Sequence, residues 1–124
     1  HYKSGLKNIY KAYPKPENID LCIMGVGSDG HIASISIKSK KIEQHKTFFK
    51  CNRNNEKYNR ISISLNYLTR IPVIIILIHD NKKINILKSC LNLQKKSTLP
   101  ITDLIQKGKG KIYILTSKYY MNQL

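Results

Sequence analysis

A chain of 124 residues is one domain or part of one, long enough to bury a core and too short to hold two. Its apolar fraction of 41% is ordinary for a globular protein, and its most apolar run, residues 72 to 78, is far too short to span a bilayer, so no membrane partner is expected. Lys and Arg number 22 against 7 Asp and Glu, but Lys supplies 19 of them beside abundant Asn and Ile, and the basic residues are scattered with no interleaved aromatic stacking pattern; the charge of +15 reads as composition bias, and nucleic acid is not an expected partner.

Residues 3 to 12 predict a helix with Leu6, Ile9 and Tyr10 on one face, stopped by Pro14 and Pro16. A first strand is expected at about 19 to 25. Ser28 or Asp29, both good N-caps, then opens a short helix. From about 38 to 59 the sequence is polar and rich in Lys and Asn, too long for an ordinary connection; it reads as a surface excursion tacked down by Phe48 and Phe49. Residues 60 to 65 alternate with period two and predict a strand. The run 72 to 78 predicts a strand buried on both faces, as in a parallel sheet. Asp80 caps a helix to about Leu91, with Ile84, Leu87 and Leu91 on its apolar face and Lys82, Asn85, Lys88 and Ser89 opposite. A loop at 93 to 99, a helical turn at 100 to 106 and a strand at 111 to 116 follow. Strand and helix in alternation specify an α/β fold with a mainly parallel sheet flanked by helices, part of a three-layer αβα domain.

Cys22, Cys51 and Cys90 are odd in number and lack metal-ligand spacing, so no metal site is expected. Cys22 and Cys90 lie in apolar elements and read as buried thiols, which suit a reducing compartment. No secretory signal opens the chain, and the expected location is cytoplasmic.

The chemistry gathers after the first strand, where Gly25, Gly27, Asp29, Gly30 and His31 fall within seven residues. Glycines let backbone turn sharply and approach a ligand, while Asp29 and His31 can accept and deliver protons. Gly25-x-Gly27-x-x-Gly30 also matches the dinucleotide fingerprint. That reading needs an acid at the end of the next strand, and the one acid in range, Glu43, sits in the polar stretch. His31 in the first turn of a helix is held neutral by the helix dipole and can act as a base. Asp29 is as readily a structural cap. Lys82 and Lys83, at the start of the helix after the apolar strand, are disfavoured there unless an anion binds, although a chain with this much Lys places such a pair by chance as readily. Arg60 is one of three arginines, and its fork suits a phosphate or carboxylate.

The segment Gly25-Val-Gly-Ser-Asp-Gly-His-Ile-Ala-Ser34 resembles the Gly-x-Gly-x-Asp-Gly-His-Thr-Ala-Ser segment of 6-phosphogluconolactonases, whose superfamily includes glucosamine-6-phosphate deaminases. Residues 60 to 65 resemble the family's Arg-Ile-Thr-Leu-Thr-Leu strand. Residues 73 to 87 resemble its apolar strand followed by Gly-x-x-Lys-Ala, with Lys83 on the lysine and Asp80 where the family has Gly. Thr98-Leu-Pro-Ile resembles its Leu-Pro-Ala turn, and residues 108 to 116 its closing strand. Ala33-Ser34 follows the lactonase branch, because the deaminases continue Ala-Phe-Asn-Glu-Pro. The family's domain is much longer and carries a Gly-rich phosphate loop in its first half, so the resemblance is to the C-terminal half.

The resemblance implies hydrolysis of 6-phospho-D-glucono-1,5-lactone to 6-phosphogluconate, the second step of the oxidative pentose phosphate pathway. His31 is then the general base with Asp29 beside it, and backbone N–H groups of residues 25 to 30 steady the oxyanion. Gly25, Gly27, Gly30, Arg60 and Lys83 bind the sugar-phosphate lactone, with no metal or organic cofactor. A fused or associated glucose-6-phosphate dehydrogenase is a candidate partner. The alternatives are a non-catalytic sugar-phosphate-binding segment of a larger protein and a deaminase-like isomerase.

Overall fold

A computed structural model describes residues 2–12, 19–41, 45–52, 58–92 and 98–122. In chain order the elements are α1 (Tyr2–Ala12), β1 (Leu21–Gly25), β2 (Phe48–Cys51), β3 (Arg60–Ile63), α2 (Leu65–Leu68), β4 (Val73–Ile78), α3 (Asn81–Leu91), α4 (Pro100–Lys107), β5 (Lys111–Thr116) and α5 (Lys118–Met121). The prolines expected to stop the first helix, Glu43 and most of the loop at 93 to 99 lie outside the described residues.

The centre is a parallel three-stranded sheet in the order β1-β4-β5, flanked by helices, as the strand and helix alternation requires. The Val and Ile run of β4 takes the middle position, where branched side chains pack best against both neighbours. Pairing sets Ile23, Ile75 and Tyr113 level with one another, and Gly25, Leu77 and Leu115 level two residues on. On the opposite face Ile74, Ile76 and Ile78 are buried with Ile84, Leu87 and Cys90 of α3 and Ile101 and Leu104 of α4. Each such aliphatic side chain contributes about 1.5–3 kcal/mol by leaving water. The expectation that residues 72 to 78 are buried on both faces is therefore corrected. Burial alternates along β4, and Leu77 is 37% exposed, because among the described residues no helix covers the second face.

The polar stretch at 38 to 59 contains β2, which pairs antiparallel with β3 in a separate ribbon. Phe49 is fully buried and anchors that ribbon, and α1 lies against it. The strand expected over 60 to 65 stops at Ile63. Ser64 accepts a hydrogen bond from the Tyr67 N–H and starts α2. Asp80 caps α3 as expected, with Oδ1 accepting from the Lys83 N–H at 3.0 Å. Leu91, expected on the apolar face of α3, is 45% exposed. Cys90 takes that place, buried where the Thr102 hydroxyl donates to its sulfur at 3.1 Å. Burial pushes the Cys90 thiol up from its ordinary pKa, outweighing that hydrogen bond, and burial likewise raises Cys22. No helix of the described residues is long and apolar enough to cross a membrane.

Candidate functional site

The segment after β1 is a pair of tight turns, where a short helix was expected. Val26 bridges Ile32, the Gly27 N–H donates to the His31 carbonyl at 2.9 Å, and the Gly30 N–H donates to the Gly27 carbonyl at 2.9 Å. Ile32 and Ile35 then exchange backbone hydrogen bonds around Ala33, which has a φ of 50°. Val26, Ile32 and Ile35 are all buried, and doubling the chain back is how all three reach the core. Gly30, at a φ of +78°, makes the first turn possible. This corrects the argument that a helix dipole keeps His31 neutral, since His31 sits at no helix start.

Asp29 takes over the control of His31. Its Oδ1 accepts from His31 Nδ1 at 2.5 Å and from the His31 backbone N–H at 3.3 Å. Nδ1 thus carries the proton in the neutral ring, which leaves Nε2 with a lone pair. Partial burial pushes the Asp29 carboxyl up, but the hydrogen bonds from His31 and its charge outweigh burial and hold it below the ordinary carboxylate range. Asp29 is therefore ionised at neutral pH. The ring lies directly against Gly27, where a Cβ would overlap it.

His31 opens into a cleft of about 610 Å3. Gly25, Gly27, Ala33 and Lys83 share its wall with apolar Cys22, Ile23, Met24, Val26 and Ile63. A Cβ on Gly25 would meet nothing within 4 Å, so the end of β1 is open to a ligand. Lys83 Nζ lies 3.2 Å from Asp80 Oδ2, so one aspartate both caps α3 and holds the ammonium that faces the cleft. That backbone hydrogen bond is the main reason the Asp80 carboxyl lies below its ordinary range.

The structure thus brings together Gly25, Gly27, His31 and Lys83, with Asp29 supporting the ring. It leaves three expected residues off the cleft. Gly30 is structural: its carbonyl accepts from the Ile101 N–H at 3.3 Å, and a Cβ there would lie 2.8 Å from Leu99 Cδ1. Arg60 is exposed at the start of β3, and Ile63, about 10 Å along that strand, is the β3 residue that lines the cleft. Lys82 is exposed and off the cleft as well. The N–H groups of Gly27 and Gly30 are engaged within the turn, which removes them as expected oxyanion donors. Sequence reasoning missed the apolar wall and the second role of Asp80; the i, i+3 spacing of Asp80 and Lys83 was the available signal.

A second cavity, of about 520 Å3, is lined by Lys40, Lys41, Leu65, Asn66, Thr69, Asp103 and Lys107. Asp103 there accepts from Lys40 at 2.6 Å and from Lys107 at 2.7 Å. Among the described residues no group of three or more His, Cys, Asp or Glu is placed to hold a metal ion.

A family model described as glucosamine-6-phosphate isomerases/6-phosphogluconolactonase matches residues 1–114. Among solved structures the chain is similar to a 6-phosphogluconolactonase from Trypanosoma cruzi, at 21% identity and a TM-score of 0.72, covering 85% of this chain and 41% of that one. It is similar to one from Thermotoga maritima, at 21% identity and a TM-score of 0.71, covering 94% and 52%. It is also similar to one from Plasmodium vivax, at 23% identity and a TM-score of 0.60, covering 99% and 53%. At such identities the likeness establishes the fold, and the chain spans about half the length of these structures. A comparison with curated protein sequences returned no significant match.

Proposed function

Because the chain belongs to the glucosamine-6-phosphate isomerase/6-phosphogluconolactonase family, we propose that it carries the acid–base half of a site that hydrolyses 6-phospho-D-glucono-1,5-lactone to 6-phosphogluconate. The observation that supports this most is the Asp29–His31 couple, set against Gly27 at the wall of an open cleft. In the reaction His31 Nε2 takes a proton from water as the water oxygen attacks the lactone carbonyl carbon. Ionised Asp29 stabilises the imidazolium that forms. The tetrahedral oxyanion collapses, the bond from that carbon to the ring oxygen breaks, and the imidazolium returns its proton to the departing oxygen. A positioned base of this kind contributes about 10²–10⁴ in rate.

Lys83 is the cation on the cleft wall, and it takes the phosphate role that the sequence shared with Arg60. Fixing the phosphate fixes the carbonyl carbon relative to His31. An enzyme oxidising a sugar phosphate to its lactone, fused or associated, is the partner this reading calls for.

The test separates the two branches of the family. The polypeptide containing this chain is given 6-phosphogluconolactone in one arm and glucosamine-6-phosphate in the other, with acid release and ammonia release followed. Acid release above the spontaneous rate in the first arm alone is expected. Ammonia release in the second arm would assign the isomerase branch instead.

A further inference from the structure

We propose that Lys40 is a positioning residue for His31, its ammonium fastening the segment that carries the base to the first turn of α4. The proposal rests on the reading of His31 as the base, and one arm of its test reads no turnover.

The start of α4 and the turn after β1 hold one another. Leu99 at the N-cap of α4 makes no side-chain hydrogen bond, and Pro100 at its first position has no N–H. The first N–H of the helix is that of Ile101, and it donates to the Gly30 carbonyl at 3.3 Å, so the backbone of the turn serves as the cap that Leu99 lacks. The Leu99 side chain lies against Gly30 as well. Gly30 in turn donates to the Gly27 carbonyl, and Gly27 to the His31 carbonyl, so the seat on α4 sets the turn that aims the imidazole. One neutral hydrogen bond of this length is a weak fastening, worth at most about 0.5–1.5 kcal/mol.

Lys40 supplies the second fastening. Its Nζ donates to the Thr98 carbonyl and to Asp103 Oδ2, each at 2.6 Å, and so grips α4 on both sides of Ile101. Both contacts are charge-assisted, and the Lys40 and Asp103 side chains are only 14% and 13% exposed, which shields the pair from the solvent that weakens surface pairs. The Lys40 backbone is fixed too: its N–H donates to the Ser36 carbonyl at 3.0 Å, and the Ser36 N–H donates to the hydroxyl of buried Ser39 at 2.9 Å. The segment from Gly30 to Lys40 is therefore held on α4 at both ends, with His31 beside the first and buried Ile32 and Ile35 between. Lys107 provides the comparison. It donates to Asp103 Oδ1 at 2.7 Å, but it is 67% exposed and lies on α4 itself, so its bond to Asp103 joins no second element.

The experiment compares Lys40→Met with Lys107→Met in the intact polypeptide that contains this chain, at a temperature where circular dichroism shows both folded. Lys40→Met is expected to lower kcat for the lactone about tenfold with KM within about twofold, less than the roughly 10² of a 1 Å displacement, while Lys107→Met changes both by less than about twofold. In a His31→Asn background Lys40→Met is expected to cost nothing further, because the group it positions is already gone. In the arm without turnover, hydrogen exchange at the Gly27, Gly30 and Ile101 amides is expected to speed at least about tenfold in Lys40→Met and to stay at the wild-type rate in Lys107→Met. Exchange or kcat at the wild-type level in Lys40→Met overturns the proposal. So does an equal effect from Lys107→Met, or a loss of kcat that persists in full in the His31→Asn background, which would make Lys40 merely structural. A wild type that does not hydrolyse the lactone would count against the reading of the base, and the exchange arm then decides the fastening by itself. Should Lys40→Met not fold, Lys40→Gln, which keeps a donor for the Thr98 carbonyl, carries the same comparisons.

Discussion

Replacing Gly27 with alanine tests how the loop places its base. A Cβ at this position overlaps the His31 imidazole and lies 2.7 Å from Asp29 Oδ1, so the ring has to leave its place. The backbone itself accepts alanine, because Gly30 is the one described glycine with positive φ. The Asp29–His31 pair is partly exposed, at 58% and 21% for the two side chains, and such pairs contribute roughly 0–1 kcal/mol to stability. Gly27→Ala should therefore shift the melting midpoint by only a few degrees. A displacement of about 1 Å costs about 10² in rate, and full loss of the base costs about 10²–10⁴. The assay pairs lactone turnover with nitrogen NMR of the imidazole, where the Nδ1–H donor to Asp29 should be lost. A Gly27→Ala protein with the Nδ1–H signal intact and turnover within threefold of wild type would refute the reasoning.

Three further outcomes follow from the same geometry. Lys83→Ala should raise KM for the phosphorylated lactone about tenfold relative to the unphosphorylated one, consistent with losing one charge-assisted contact, and Arg60→Ala should change that ratio less; steady-state kinetics on both lactones checks this. Gly30→Ala should cost about 1–2 kcal/mol, measured by denaturant unfolding, because it adds left-handed strain to the Leu99 contact. Burial pushes the Asp103 carboxyl up, while hydrogen bonds from Lys107 and Lys40 outweigh burial and hold it below its ordinary range. Its stabilising contribution is then complete above the ordinary carboxylate range and is lost as pH falls through the lowered value. Thermal melts across the acid range should show Asp103→Asn losing less stability on acidification than wild type.

The α/β alternation is legible in the sequence because its signals are local. Asp80 and the spacing of Ile84 and Leu87 specify α3, and the branched run of β4 specifies a strand. The one-sided burial of β4 is not legible, since an unbroken apolar run has no period that distinguishes one covered face from two. Helix α2 is hidden because Ile61, Ile63 and Leu65 continue an alternation that Ser64 ends by capping. At the site, the glycines and the proximity of Asp29 to His31 are visible in the sequence. The direction of the chain after Gly30 depends on pairing between Val26 and Ile32 and on burial of Ile35, which are tertiary facts. The same limit applies to Arg60. A strand-opening arginine is readable, but its pairing with Cys51 in a separate ribbon is decided by long-range contacts.

The most direct test of the central claim is the lactone hydrolysis rate of His31→Asn in the intact polypeptide, measured against the spontaneous reaction. The account predicts a fall in kcat of about 10²–10⁴ with KM nearly unchanged and the fold preserved by circular dichroism. A folded His31→Asn protein that turns over at the wild-type rate would contradict it.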